Sequence, residues 1–503
     1  MSLIIFNKLD SVIRGKTVLT DISWEIKPGQ NWVIVGPNGA GKTSLLKIIL
    51  GKLYYRGDFS IAEGLRERTR YVSFERHSAL IRREADKDHS RYFSGRLDDG
   101  LVTPASLLKA SAEAIGNPDR VRELIALLDI GRIFNREIRQ LSTGEMRKLL
   151  IADALMAQPQ LLILDEPYDG LDAQSARSLI QLTDHVMASG IQVLLVTHRF
   201  EEIPARITHA LCLKDGRIFR KGPAGMLHEK QLTSDLYPVK NLTAQFPEAI
   251  KAPAGTVFDD ASPTLIRMTD VSVIYGKTPV LDHIDWQVKK GENWVIAGPN
   301  GAGKSTLIRL ITADEPQAYA NEIHLFGRRR GTGESIWDIK QKIGLISSEF
   351  QIRYQGTGAP ITAFQVVLSG FFDSVGLFRN ATDVQRRIAG LWLRRVGMEE
   401  YGERAFARLS YGEQRMVLIV RAMIKSPAML ILDEPFEGLD YANRQMLLDL
   451  IDDIGKNTET SIIYVTHQRD RLDCITHKLE FVPRATGGYR LVRQKMGCLE
   501  ESI

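Results

Sequence analysis

Short, uninterrupted apolar runs occur twice along the chain, in the same order each time. Trp32–Val35 and Trp294–Ala297 each feed a glycine-rich turn, after which helical patterning opens at Ser44–Leu50 and Thr306–Ile311. Leu161–Leu164 and Met429–Leu432 end in an acidic pair, and Val193–Val196 and Ile462–Val465 end in Thr-His. Apolar runs of this length without polar alternation predict strands buried on both faces, as in parallel sheets covered by helices. Such sheets bind ligands outside the carboxyl ends of their strands. The three kinds of strand end in each half are therefore expected to converge on one site. The opening Met1–Asp10 reads as a further strand and lacks the basic n-region of a secretory signal. Helical segments are expected at Met146–Ala157 and Gln414–Lys425.

The two sets belong to a long repeat. Thr17–Gly36 aligns with Pro279–Gly298, matching Trp24 with Trp286, Gly29 with Gly291 and Trp32 with Trp294. Ser410 follows Ser142 by 268 positions, and Asp433 follows Asp165 by the same 268. Equal offsets mean two copies with the same internal spacing, and the period is far too long for a solenoid. The organisation expected is a domain over 1–228, a linker over 229–262 and a second domain over 263–503. The linker contains Pro238, Pro247, Pro253 and Gly255 and has room for a short helix. Arg76–Gly100 is charged and irregular, which fits a solvated loop or a partner-binding insertion.

Composition narrows the setting. A chain of 503 residues is too long for one core and sufficient for two. A net charge of +5 is small for this length and leaves no broad electrostatic footprint for nucleic acid. No apolar run approaches the roughly 18 residues of a membrane span. Cys212, Cys474 and Cys498 are far apart, which fits a reducing cytoplasm and offers neither a disulfide framework nor a structural zinc site.

Each half carries a G-x-x-x-x-G-K-[ST] loop. The first reads Gly36-Pro-Asn38-Gly39-Ala-Gly41-Lys42-Thr43, followed by Ser44. The second reads Gly298-Pro-Asn300-Gly301-Ala-Gly303-Lys304-Ser305, followed by Thr306. In such a loop, consecutive backbone N–H groups and a helix N-terminus wrap phosphates, and glycine lets the backbone come close. Lys42 and Lys304 would neutralise β/γ-phosphate charge, while Thr43 and Ser305 would offer hydroxyls to Mg²⁺. Asp165 and Asp433 end buried strands and fit as Mg²⁺ ligands. Glu166 and Glu434, next in line, are placed to polarise an attacking water. His198 and His467 can hydrogen-bond a γ-phosphate oxygen. Leu141-Ser142-Thr-Gly144-Glu145 and Leu409-Ser410-Tyr-Gly412-Glu413 each begin a helix, either as plain caps or as second anion-binding ends.

The loop, the L-S-x-G-E segment, the strand ending in Asp-Glu, Gly-Leu-Asp at 170–172 and 438–440, and Thr-His, in that order, resemble the ATP-binding cassette (ABC) ATPases. The likeness covers nearly the whole chain, twice. It implies an α/β fold of two tandem P-loop NTPase domains. Each would have a mainly parallel sheet core, an antiparallel β subdomain and a helical subdomain. It also implies an ATPase using ATP and Mg²⁺, with cassettes paired head to tail. Ser142 and Gly144 would then complete the site on Gly298–Ser305, and Ser410 and Gly412 the site on Gly36–Thr43. Asp172 and Asp440 would lie at the seam. Pairing within one chain or in a homodimer both suit a linker of roughly 30 residues.

Gly-x-Asn-Trp before each loop, Leu-Ser-Thr-Gly-Glu in the first copy, and Phe326-Gly-Arg-Arg-Arg-Gly-Thr-Gly-Glu-Ser-Ile-Trp-Asp-Ile-Lys340 in the second are similar to the ModF/PhrA group. That group is described as ATP-binding subunits for molybdate transport. Arg328–Arg330 could meet a partner or an anion, or form a solvated turn. Two departures stand out. Tyr275 fits the family's adenine-stacking aromatic, whereas the first copy has Arg14, whose guanidinium can also stack on a base. The family's Q-loop glutamine is missing, with Glu75, Glu349 and Gln351 nearby. The resemblance implies a cytoplasmic motor subunit, peripheral at the inner membrane face if a separate permease is its partner. The alternatives are a soluble ATPase acting on ribosomes or nucleic acid, against which the short linker argues, and a sugar-importer tandem, in which one site is often degenerate.

Overall fold

The computed structural model describes residues 2–13, 15–73, 102–115, 119–138, 141–238, 246–247, 262–276, 278–347, 354, 361–467, 472–484 and 488–496. Arg14, Glu75, Arg76–Gly100, Glu349, Gln351 and most of the expected linker lie outside these residues. The chain divides into two compact units, Met1–Pro238 with Gly438–Ala442, and Val239–Glu437 with Asn443–Ile503.

In the first unit, strands β1 (Ile4–Ile13), β2 (Lys16–Ile26) and β4 (Arg56–Ile61) form an antiparallel sheet in the order β2-β1-β4. Its inward face is aromatic: Phe6 pairs with Trp24 in register, and their rings stack at 5.6 Å. The central sheet has the order β5-β6-β7-β3-β8-β9, from β3 (Trp32–Val35), β5 (Thr69–Ser73), β6 (Leu161–Asp165), β7 (Gln192–Val196), β8 (His209–Lys214) and β9 (Arg217–Pro223). All neighbours pair in parallel except β8 with β9. Every residue of β3, β6 and β7 is buried, which is why their sequences show no alternation. The Gly-x-Asn-Trp element has a structural reason. Asn31 accepts from Val193 N–H (2.9 Å) and donates to Arg206 O (3.3 Å), fixing the start of β3 to its neighbours. Asn293 does the same in the second unit, accepting from Ile462 N–H and donating to Cys474 O.

Helix α1 (Lys42–Ile49) follows β3, and α2 (Pro104–Ile115), α3 (Asp119–Leu128) and α4 (Thr143–Met156) form the helical part. Leu108, Leu124, Leu128, Leu149 and Leu150 share one buried core. Helix α5 (Ala173–Ala188) links β6 to β7. A further helix, α6 (Lys230–Leu236), falls in the segment read as linker. Its Leu232 and Leu236, with the following Tyr237, are buried in the first unit's core.

The second unit has the same plan. Strands β10 (Thr264–Tyr275), β11 (Thr278–Lys289), β13 (Glu322–Leu325) and β14 (Arg328–Arg329) form the antiparallel layer. The central sheet runs β15-β16-β17-β12-β18-β19, from β12 (Trp294–Ala297), β15 (Ile343–Ile346), β16 (Met429–Asp433), β17 (Ser461–Thr466), β18 (His477–Pro483) and β19 (Tyr489–Lys495). Helix α7 (Lys304–Ile311) follows β12, α8 (Ile336–Lys342) precedes β15, and α9 (Ala363–Ser369), α10 (Asp383–Arg395) and α11 (Tyr411–Met423) form the helical part. Helix α12 (Tyr441–Asn457) links β16 to β17. The basic triplet is turned partly inward. Arg330 is buried, paired with Glu334 and lying over the Tyr319 ring, and Arg328 donates to Thr332 Oγ1. No helix among the described residues is long and apolar enough to cross a membrane.

Candidate functional site

Both glycine loops leave the end of a buried strand and pass directly into a helix. At Gly36 the backbone has φ +154°, and an added Cβ would lie 2.1 Å from Leu213 O. At Gly298 φ is +157°, with Phe481 Cβ 2.7 Å away. The turn over Asn38, Gly39 and Gly41, and over Asn300, Gly301 and Gly303, then brings the first helical turn into line. The helices begin at Lys42 and Lys304, two residues before the patterned starts at Ser44 and Thr306. The free N–H groups of that turn face the strand end, the setting in which phosphate binds. Lys42 Nζ donates to Gly36 O (2.7 Å) and Pro37 O (3.1 Å), and Lys304 Nζ to Gly298 O (2.8 Å) and Pro299 O (2.9 Å). Each ammonium is thus held within its own loop.

The acids lie alongside. Thr43 Oγ1 donates to Asp165 Oδ2 at 3.2 Å, and Tyr71 Oη donates to the same oxygen at 2.8 Å. Among the described residues, Asp165 Oδ1 is buried without a hydrogen-bond partner. Burial raises the Asp165 pKa, with Tyr71 opposing it. Burial, then the neighbouring Glu434, pushes Asp433 up to about 6. A buried carboxylate with an open oxygen beside a hydroxyl is a donor set for a hard divalent cation. In the second unit Ser305, Asp433 and Glu434 line one cavity of about 890 Å³.

The two glutamates pair with the two histidines. His198 Nδ1 lies 3.0 Å from Glu166 Oε2, and His467 Nδ1 lies 2.7 Å from Glu434 Oε1. Burial opposes ionisation of both acids, but the histidines hold their pKa values below the ordinary carboxylate range. Glu166 and Glu434 have φ +47° and +50°, a conformation costly for a non-glycine residue that collects at functional sites.

Sequence reasoning missed what surrounds these pairs. Arg199 Nε donates to His198 Nε2 at 3.3 Å, Asp169 Oδ1 lies 3.6 Å from that nitrogen, and Arg199 also binds Glu202 (3.1 Å). Burial opposes a charge on His198, but Asp169 and Glu166 outweigh it and raise its pKa. His467 Nε2, in contrast, is buried with no partner among the described residues. Tyr71 was also missed. Its counterpart in strand register is Leu345, so no repeated residue marked it.

The remaining candidates are placed as follows. Ser142 and Ser410 cap α4 and α11, each within a full capping box with Glu145 or Glu413. Gly144 and Gly412 lie in the first turns, where a Cβ would meet Ser175 Oγ at 3.0 Å and Asn443 Cγ at 2.4 Å. Among the described residues, no hydrogen bond joins Ser142 or Ser410 to the phosphate loop of its own unit. Asp172 caps α5, accepting from Gln174 and Ser175 N–H. Asp440, within the first unit, accepts from Asn38 N–H at 2.7 Å. Tyr275 ends β10 half-exposed, its hydroxyl bonded to Glu315.

A glycine loop, an acid-ended strand and a histidine-ended strand on one parallel sheet define a P-loop ATPase. The model of the ABC transporter family matches residues 19–169 and 281–437, and the chain belongs to that family. It is similar to the ABC transporter ATP-binding protein ModF of Escherichia coli (strain K12), at 38% identity over 94% of this chain and 95% of that protein. An uncharacterized ABC transporter ATP-binding protein of Schizosaccharomyces pombe is 27% identical over 91% of this chain and 93% of its own length. Among solved structures, an archaeal ribosome recycling factor aABCE1, in complex with ribosomal stalk protein aP1, matches with TM-score 0.61 and 19% identity. That match covers 97% of this chain and 90% of that one, and at this identity it shows the fold alone. The chain is an ATP-binding, ATP-hydrolysing tandem ABC protein.

Proposed function

We propose that both loops are working ATP–Mg²⁺ sites and that the chain energises a transporter whose membrane part is a separate protein. Lys42 and Lys304 bind the β/γ-phosphates. Thr43 with Asp165, and Ser305 with Asp433, hold Mg²⁺, which supplies charge neutralisation at the phosphates. Glu166 and Glu434 orient the attacking water and accept its proton as the γ-phosphoryl group leaves ADP. His198 and His467 contact the terminal phosphate, and Tyr275 stacks on adenine in the second cassette. Ser142 with Gly144, and Ser410 with Gly412, complete the opposite cassette's site in a head-to-tail pair, with Asp172 and Asp440 at its seam.

The observation that carries the transporter reading is the 38% identity to ModF along nearly the full length of both chains, together with the loop Lys, the Asp-Glu pair and the His kept in each copy. Molybdate, the cargo implied by the ModF/PhrA likeness, would be recognised by the membrane partner, since a motor subunit need not touch cargo. The test is capture of the Glu166→Gln, Glu434→Gln chain with ATP in its own host, followed by mass spectrometry. A co-purifying permease supports the reading. Ribosomal proteins or nucleic acid without a permease would replace it with a soluble ATPase.

A further inference from the structure

Tyr237 ends α6, in the stretch that leads out of the first unit. Its side chain is 0% exposed, yet among the described residues its hydroxyl has no hydrogen-bond partner. A buried hydroxyl without a partner has given up its water for nothing, so native proteins rarely keep one without a use. The ring is held edge-on by Phe200 at 5.9 Å, and Phe200 lies two residues beyond His198. Burial holds the hydroxyl's pKa well above the ordinary tyrosine value. The carboxylates of Asp440 and Glu166 add to that, and the Gly36 backbone N–H, which approaches the phenol oxygen without a well-formed hydrogen bond, opposes it and leaves the O–H without an acceptor. Phe200 thus sets the Tyr237 ring beside the strand end that carries His198, and the carboxylates and the Gly36 backbone that perturb the hydroxyl belong to the same region. An O–H at this position is a donor without an acceptor, beside the place where anionic oxygens gather when ATP is bound.

We infer that Tyr237 is a positioning residue of the first ATP site, whose hydroxyl donates to an anionic oxygen of the ATP-loaded state and ties that state to the chain leaving the unit. The acceptor is either a γ-phosphate oxygen or the Glu166 carboxylate once His198 has turned away. The inference rests on the reading of Gly36–Thr43 as a nucleotide loop. Tyr71 already serves Asp165 and is engaged, whereas the hydroxyl of the buried Tyr237 has no acceptor among the described residues.

Tyr237→Phe keeps the ring packing and removes only the unpartnered group, so the variant folds and its Tm stays equal or rises. Calorimetric titration with Mg–ATP and with Mg–ADP is done on the full chain carrying Lys304→Ala, so that only the first site binds. Turnover is read in the otherwise native chain. If the acceptor is the γ-phosphate, ATP affinity falls by about ten-fold while ADP affinity is unchanged. If it is Glu166, ATP affinity is kept and turnover falls by at least about two-fold. Unchanged ATP affinity together with unchanged turnover overturns the inference. Lys42→Ala in the same background separates the two levels. If that variant also keeps native ATP affinity, the nucleotide-loop reading fails; if it loses ATP while Tyr237→Phe changes nothing, only the role of Tyr237 fails.

Discussion

Glu166 and Glu434 combine two costs at one position, a left-handed backbone and a carboxylate partly withdrawn from water. Such strain persists where geometry matters more than stability. Glu166→Gln with Glu434→Gln keeps the shape and the hydrogen bond to each histidine but removes the base. Turnover is expected to fall at least about 100-fold with ATP binding retained, measured as phosphate release beside equilibrium binding. Unchanged turnover would remove these acids from the chemistry. At Asp165, Tyr71→Phe takes away one of two donors to Oδ2 and leaves Oδ1 as it was. The Mg²⁺ concentration needed for half-maximal binding of ATP at the first site should rise several-fold, by roughly 1 kcal/mol of lost orientation. A Mg²⁺ titration unaffected by the substitution would make the contact incidental. The contrast shows what sequence could reveal. Lys42, Asp165 and Glu166 were legible because each has a twin at a fixed offset. Tyr71 was not, because its register partner is Leu345 and only the pairing of β5 with β6 brings it to the carboxylate.

At the level of elements, the helix starts carry both structure and candidate function, and the two can be separated. Ser410 closes a capping box on α11. Ser410→Ala should cost about 1 kcal/mol of stability through the lost cap. Ser410→Asp retains an N-cap acceptor but sets a negative charge where a phosphate would approach. Stability near native with a large loss of ATPase in the Asp variant would assign the serine to phosphate; parallel losses in stability and activity would leave it a cap. Beyond α11, Lys425 is buried against Asp373 and Lys340 O, and burial pulls its pKa from 10.5 to about 8. The folded lysine releases its proton near pH 8, while the unfolded one holds it to about 10.5. Its stabilising contribution is therefore complete only above the unfolded value and is lost as pH falls through about 8. Denaturant unfolding of the native chain relative to Lys425→Met should show a relative gain on the order of 3 kcal/mol from pH 7.5 to 10.5. A flat difference would mean that the ammonium is solvated. Strands and helices around the motifs were readable from period and run length. The early starts of α1 and α7 were not, because they follow from the glycine turn rather than from apolar spacing. Helix α6 is a short helix of the kind the linker had room for, but its burial in the first unit's core was not readable, because its apolar residues are too few for a periodic signal.

The whole molecule is a duplication whose copies have diverged around an unchanged set of motifs. The shared plan, with sheet order, aromatic layer and asparagine staples repeated, was legible because both copies must bury the same faces. Site differences were not, because they lie in residues that occur once. In the first unit His198 Nε2 has a partner in either protonation state: Arg199 donates to it when it is neutral, and Asp169 stands 3.6 Å away to accept when it is charged. In the second unit His467 Nε2 has none among the described residues. A histidine that must exchange a protein contact for a phosphate forfeits about 1 kcal/mol relative to one that need not, several-fold in rate if the step is made in the transition state. The second site should therefore be the faster. Glu434→Gln alone is expected to remove a larger share of steady-state turnover than Glu166→Gln alone. Arg199→Gln with Glu202→Gln, which removes the charged pair together so that neither is left buried alone, should narrow the gap. Phosphate-release assays decide it, on each glutamine variant against its parent, in the native chain and in the Arg199→Gln, Glu202→Gln chain. Equal losses in the two single variants would mean that the sites turn over as one unit. A larger loss in Glu166→Gln would mean that the Arg199 contact readies His198 for its phosphate instead of holding it back.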